Sequence, residues 1–147
     1  MKLLRVTITL FFTFFISFLL YSQDINVHNT IGQKKAAVVK QFGNPVHQDN
    51  SSPSMMCMFY KGSNYNMTFV SDNEGVYQAE VSASYANEAK ARSAVDAFIS
   101  GSLSNGYSVD TVTVNDFHLK KTGVKVDLQM AENKLSKKFD IRVKATR

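Results

Sequence analysis

From residue 77 the chain alternates in strict pairs: Tyr77, Ala79, Val81, Ala83 and Tyr85 are separated by Gln78, Glu80, Ser82 and Ser84. A period of two puts each set on its own face of a strand, so this segment predicts a half-buried strand. The pattern returns twice near the C-terminus. Val124, Val126, Leu128 and Met130 alternate with Lys125, Asp127 and Gln129, and Phe139, Ile141, Val143 and Ala145 alternate with Lys138, Asp140, Arg142 and Lys144. Three less regular runs also predict strands. Met55 to Tyr60 is continuously apolar, Met67 and Phe69 stand two apart beyond a turn at Lys61 to Asn64, and Tyr107 to Asn115 is rich in β-branched residues. Residues 46 to 54 predict a polar loop.

Helical spacing occurs in two places. Thr30 with Gln33 three residues later fits a capping box, and Ile31, Val38, Val39 and Phe42 share a face opposite Lys34, Lys35 and Lys40, with Gly43 and Pro45 ending the run. Asn87 is placed to cap a second helix, in which Ala91, Ala94, Val95, Phe98 and Leu103 form the apolar stripe and Asn105-Gly106 the stop. The order is helix, three strands, helix, three strands. The expected fold is therefore α+β: two αβββ halves, 30–85 and 86–147, in a single domain 30–147, with an antiparallel sheet and both helices packed on one face. A final turn at 131–137 would set Lys125 beside Lys144 and Asp127 beside Arg142.

The N-terminus changes the picture of where this domain works. Cationic Lys2 and Arg5 precede the apolar run Val6 to Leu20, which exits through Tyr21-Ser22-Gln23. That run falls short of the roughly 20 apolar residues of a comfortable membrane span, so residues 1–22 read as a secretory signal peptide cut near Ser22, ahead of a polar leader, 23–29. The expected location is the periplasm or the medium, with no stable membrane span after cleavage.

Charge is uneven. The whole chain of 147 residues is +5, and from His118 onward nine basic residues face three acidic ones. A local surplus of this kind attracts anionic partners. Nucleic acid is not expected, because the cationic strands carry no aromatics interleaved on the same face. One cysteine, Cys57, rules out an intramolecular disulfide and any Cys-based zinc or iron–sulfur site, and its place between Met56 and Met58 reads as packing. His28, His47 and His118 are too widely separated for a paired ligand spacing, so neither metal nor other cofactor is expected. Nucleophile elbows, phosphate loops and dinucleotide fingerprints do not occur, which leaves catalysis unsupported. Asp110-Thr111-Val112 is similar to the short O-glycosylation sequon of Bacteroidetes-type bacteria, which makes Thr111 a candidate for modification.

Gly32, Val38, Phe42, Gly43 and Pro45 spell Gly-x5-Val-x3-Phe-Gly-x-Pro across the first helix and its exit. Gly32 would permit tight packing at the helix start, Val38 and Phe42 lie one turn apart, Gly43 caps and Pro45 forbids continuation. An aromatic strand ending Phe59-Tyr60 follows, then Met67-Thr68-Phe69-Val70 and Asn73-Glu74-Gly75-Val76. Over residues 30 to 85 this order resembles the BamE-like (SmpA/OmlA) small envelope lipoproteins and, more broadly, the β-lactamase-inhibitor-protein-like superfamily. The resemblance implies a helix-plus-sheet fold and a non-catalytic, protein-binding role, with no binding residue carried across.

The expected function is that of an exported, non-catalytic envelope domain binding a protein or an anionic envelope component, with Lys125, Lys138, Arg142 and Lys144 as the cationic surface. An alternative is a secreted inhibitor of an extracellular enzyme, inserting loops 46–54 and 71–75 into its target. A small enzyme is the third reading.

Overall fold

The alternating segments do become strands, but of one continuous sheet. The computed structural model describes residues 25–147, so the expected signal peptide and its cleavage near Ser22 lie outside the described residues. A 3-10 turn, Val27–Thr30, leads into helix α1, Lys35–Phe42. Strands β1 (His47–Ser52), β2 (Met55–Lys61), β3 (Tyr65–Ser71) and β4 (Val76–Tyr85) follow. Helix α2, Glu88–Ser104, connects to β5 (Ser108–Thr113), β6 (Asp116–Lys121), β7 (Val124–Asn133) and β8 (Lys138–Thr146). The sheet order is β1-β2-β3-β4-β8-β7-β6-β5, antiparallel throughout.

This corrects the expected two-half α+β arrangement. Two strands were missing from it. β1 lies in the supposed polar loop, 46–54, and β6 between two segments already assigned; with them each meander has four strands rather than three. Half of the described residues are in strands and about a quarter are helical, so the sheet, not a repeated helix-plus-sheet unit, organises the chain. The halves 30–85 and 86–147 are fused along β4 and β8, which pair in register from Gln78↔Thr146 to Tyr85↔Phe139.

One sheet face holds the core. Met58, Phe69, Ala79, Ala145, Val126 and Leu119 run across it in register, and Tyr60, Met67, Val81, Val143, Leu128 and Phe117 form the next row. Helix α1 covers this face through Val38 and Phe42, whose ring lies 5.2 Å from that of Phe69. Helix α2 covers it through Ala91, Val95 and Phe98, and Asn87 caps its first turn by accepting from the Lys90 amide at 3.0 Å. Fully buried aliphatic or aromatic side chains each stabilise by about 1.5–3 kcal/mol relative to exposure, so these two rows dominate the energetics.

The polar leader, 23–29, also needs correcting over the part described. Ile25, Val27 and His28 are buried, and the 3-10 turn lies across β4 and β8. Thr30 donates its hydroxyl to the Val27 carbonyl at 2.7 Å and Gln33 its amide to Asn29, so the expected capping box is replaced by local back-bonding and α1 begins five residues later.

The motif residues act differently from the expectation. Gly43 follows α1 and its amide bonds the Val39 carbonyl at 2.8 Å, with Pro45 just beyond. Gly32 does not pack tightly: it has φ +83° and open space where a Cβ would stand. The close approach is at Gly75, whose Cβ would meet the carbonyl oxygens of Gly32 and Gln33, each at 2.8 Å. That approach is held by a reciprocal backbone clamp, Gly32 N to Val76 O at 2.7 Å and Val76 N to Gln33 O at 2.9 Å.

Candidate functional site

Among the described residues, no helix covers the second sheet face. Its side chains are those that alternate with the core, and the register sets them in rows across the strands. One row reads His47, Phe59, Thr68, Glu80, Lys144, Asp127, His118 and Asp110 from β1 to β5. Its polar members pair: Lys144 Nζ lies 3.2 Å from Glu80 Oε1, and His118 Nδ1 lies 2.5 Å from Asp127 Oδ1. Gln78 also donates to Glu80 Oε1 at 2.9 Å. Exposed pairs of this kind stabilise by at most about 1 kcal/mol, so their main consequence is to fix which charges on the face are already matched.

The parallel row carries Asn66, Ser82, Arg142, Gln129 and Asp116. Between the rows the twisted sheet forms a groove of about 630 Å³, lined by Asn66, Thr68, Ser82, Gln129 and Arg142 together with the two ion pairs. Its walls offer hydroxyls, primary amides, carboxylates and a guanidinium, a hydrogen-bonding surface with both donors and acceptors.

The four candidate cations do not form one cluster. Arg142 and Lys144 line the groove, but Lys144 is engaged by Glu80. Lys125 sits one row away, opposite Thr146 on β8 and Lys120 on β6. Lys138 pairs with Asn133 at the far end of the β7–β8 hairpin, beyond Asp140. The expected register is corrected by two residues: Asp127 faces Lys144, Gln129 faces Arg142 and Lys125 faces Thr146. The strands run on to Asn133, whose Oδ1 accepts from the Leu135 and Ser136 amides and so confines the turn to 134–137. A two-residue shift leaves every side chain on its face, puts Asp127 rather than Lys125 opposite Lys144, and leaves Arg142 facing the neutral Gln129.

Residues that the sequence did not single out complete the site. Asn66, Thr68, Ser82 and Gln129 carry no individual signal; only the alternation that marks them outward could have located them. Phe59, half-buried, stands on the open face against Thr68 and stacks on His47 with centroids 5.6 Å apart and an interplanar angle of 26°. Cys57 also lies on this face, where burial, and then the Asp49 charge opposite it, push its thiol above the ordinary value. Thr111 lies exposed on the edge strand β5. The segments expected to be loops, 46–54 (now largely β1) and 71–75, turn at the same end of the sheet, braced to the start of α1 by Lys35 Nζ on Asn50 Oδ1 at 2.8 Å and Lys34 Nζ on the Asn73 carbonyl at 2.9 Å. Among the described residues no His/Cys/Asp/Glu group could hold a metal ion, and no helix is long and apolar enough to cross a membrane.

No family model and no curated protein matches the chain. Among solved structures, it is similar to an extracellular protein containing an SCP domain from Bacillus anthracis, at 14% identity and a TM-score of 0.44, over 83% of this chain and 46% of the other. It is also similar to a cysteine-rich secretory protein from Staphylococcus aureus, at 8% identity and a TM-score of 0.42, over 78% and 44%. The chain thus spans less than half the length of either. The expected BamE-like and inhibitor-like resemblance is corrected: no family model matches, the solved structures found are of other proteins, and the helix-Gly-x-Pro-strand motif leads into one eight-stranded antiparallel sheet.

Proposed function

We propose that this protein is an exported, non-catalytic binding domain that holds a partner, an envelope protein or an anionic envelope component, against the open face of its sheet. The observation that carries this reading is the contrast between the faces. One is sealed by α1, α2 and the 3-10 turn, whereas the other leaves a groove of about 630 Å³ lined by hydrogen-bonding side chains. The N-terminal pattern of Lys2, Arg5 and the apolar run supports export.

The test uses the native chain in its own cells. A photo-crosslinking residue at Gln129 or Ser82 is expected to capture a discrete partner, while the same group at Lys40 on α1 captures none. Charge reversal at Arg142 and Lys144 together is expected to reduce capture without lowering the melting temperature. Capture only from the α1 side, or capture indifferent to both substitutions, would overturn the reading.

A further inference from the structure

Resting on that reading, we infer that the groove binds an acidic saccharide chain, with the Arg142 guanidinium holding a sugar carboxylate and Phe59 supporting a sugar ring. Arg142 is exposed and makes no ion pair among the described residues, although carboxylates surround it. Three of these neighbours have partners of their own. Glu80 is held by Lys144 and Gln78, Asp127 by His118, and Asp140 by the Ser84 hydroxyl and by Asn133 Nδ2 at 3.2 Å. Asp116, one strand beyond Gln129, is set apart from the solvent-facing fork: its Oδ1 is buried and has no hydrogen-bond partner among the described residues. A guanidinium presents five N–H donors in a fork that matches a carboxylate bidentately, and here that fork is left to the solvent.

The surroundings favour a sugar over other anions. Arg142 stands between Ser82 and Gln129, with Asn66 and Thr68 on the next strand. Planar amides and hydroxyls offer paired donors and acceptors suited to neighbouring sugar hydroxyls, whereas a simple anion would use only their donors and leave the amide and carboxylate oxygens unmatched. Phe59, outside the groove's lining but beside Thr68 at its β3 edge, supplies the apolar element through ring surface not covered by His47, since the C–H face of a pyranose packs on an aromatic ring. Phe59 and Arg142 lie on strands three spacings apart, roughly 14 Å at the usual interstrand distance, the span of a short oligosaccharide. The Lys144–Glu80 pair and the His118–Asp127 contact at the groove wall supply further acceptors and no free cation, so a polyanion is guided by Arg142 rather than condensed on many cations.

The full chain is titrated with a tetragalacturonate, with a neutral glucan tetramer and with tetrapolyphosphate, by calorimetry at low and physiological salt. The tetragalacturonate is expected to bind, Arg142→Gln to weaken it at least tenfold and Phe59→Leu severalfold, and the neutral tetramer to bind no better than the Arg142 variant binds the acidic one. Both side chains are outside the core rows, and equal melting temperatures establish that the variants are folded. No binding of the tetragalacturonate, binding unaffected by Arg142→Gln, or Arg142-dependent binding of tetrapolyphosphate alone would each overturn the inference. If crosslinking from Gln129 and Ser82 persists in those cases, the binding-domain reading stands and only the saccharide assignment falls.

Discussion

Replacing Gly75 by alanine tests the clamp that ties the N-terminal segment to the β3–β4 turn. Gly75 has φ +144°, a conformation that costs an L-residue about 1–3 kcal/mol. The new Cβ would also press on the carbonyl oxygens of Gly32 and Gln33 at 2.8 Å, where real Cβ contacts do not occur. Relief requires opening the reciprocal bonds between Val76 and residues 32 and 33, each contributing about 0.5–1.5 kcal/mol. The expected loss is about 2–5 kcal/mol. Gly32→Ala perturbs the same clamp from its other side, but its Cβ meets nothing within 4 Å, leaving only the left-handed backbone cost of about 1–2 kcal/mol. Urea denaturation reads both: the Gly75 variant is expected to lose at least about twice the stability of the Gly32 variant, with m unchanged. In melting temperature this is about 10 °C or more against about 5 °C for a domain of this size. Equal losses would refute the close approach at Gly75 and restore tight packing to Gly32.

Three further outcomes follow from the same structure. Asp72 accepts from the Gly75 and Glu74 amides and pairs with Arg147 at 3.1 Å, contacts that hold its carboxyl below the usual range, the Gly75 amide most of all. A folded-state value below the unfolded one gives stability that is present above the unfolded value and lost as pH falls through the folded one. The melting-temperature gap between wild type and Asp72→Asn should therefore be full at pH 6 and shrink as pH drops below about 4; a gap independent of pH would refute it. Cys57 should alkylate more slowly than free cysteine at neutral pH, because burial and Asp49 both disfavour its thiolate, and Asp49→Asn should speed the reaction; a rate unchanged by that substitution would remove Asp49 from the account. Asn87→Ala should cost about 1 kcal/mol by denaturation, since the Lys90 amide loses its acceptor at the start of α2; no measurable loss would mean water replaces the cap.

What the sequence disclosed follows the strength of its periodicity. β4, β7 and β8 alternate cleanly because each has one buried and one open face, and their alternation also located Arg142 and Lys144 on the open side. β1 was hidden because His47-Gln48-Asp49-Asn50-Ser51-Ser52 is polar throughout: an edge strand with neither face on the core has no hydrophobic signature. β6 alternates too, as Phe117 and Leu119 are buried, but the stretch is only six residues and abuts the longer runs on either side. The groove was illegible for a different reason. Its lining comes from β3, β4, β6, β7 and β8, and the contact between β4 and β8 spans more than fifty residues of chain that no local pattern reports. The short motif around Gly43 misled because helix termination by glycine and proline is common to many architectures.

The placement of β8 beside β4 has a consequence for how the chain acquires its structure. Every other pairing in the sheet joins neighbours in sequence and can form as a hairpin on its own, but the seam between β4 and β8 needs the last strand before the first meander gains its second neighbour. Chain delivered N-terminus first therefore leaves β4 with a bare edge until β8 is free, and Arg147, whose amide donates to the Tyr77 carbonyl at 2.9 Å, carries that seam one residue past β8. Loop closure over that distance is slow compared with hairpin formation, so docking of the C-terminal strand is the expected late step, and the unsealed β4 edge the state most open to mispairing.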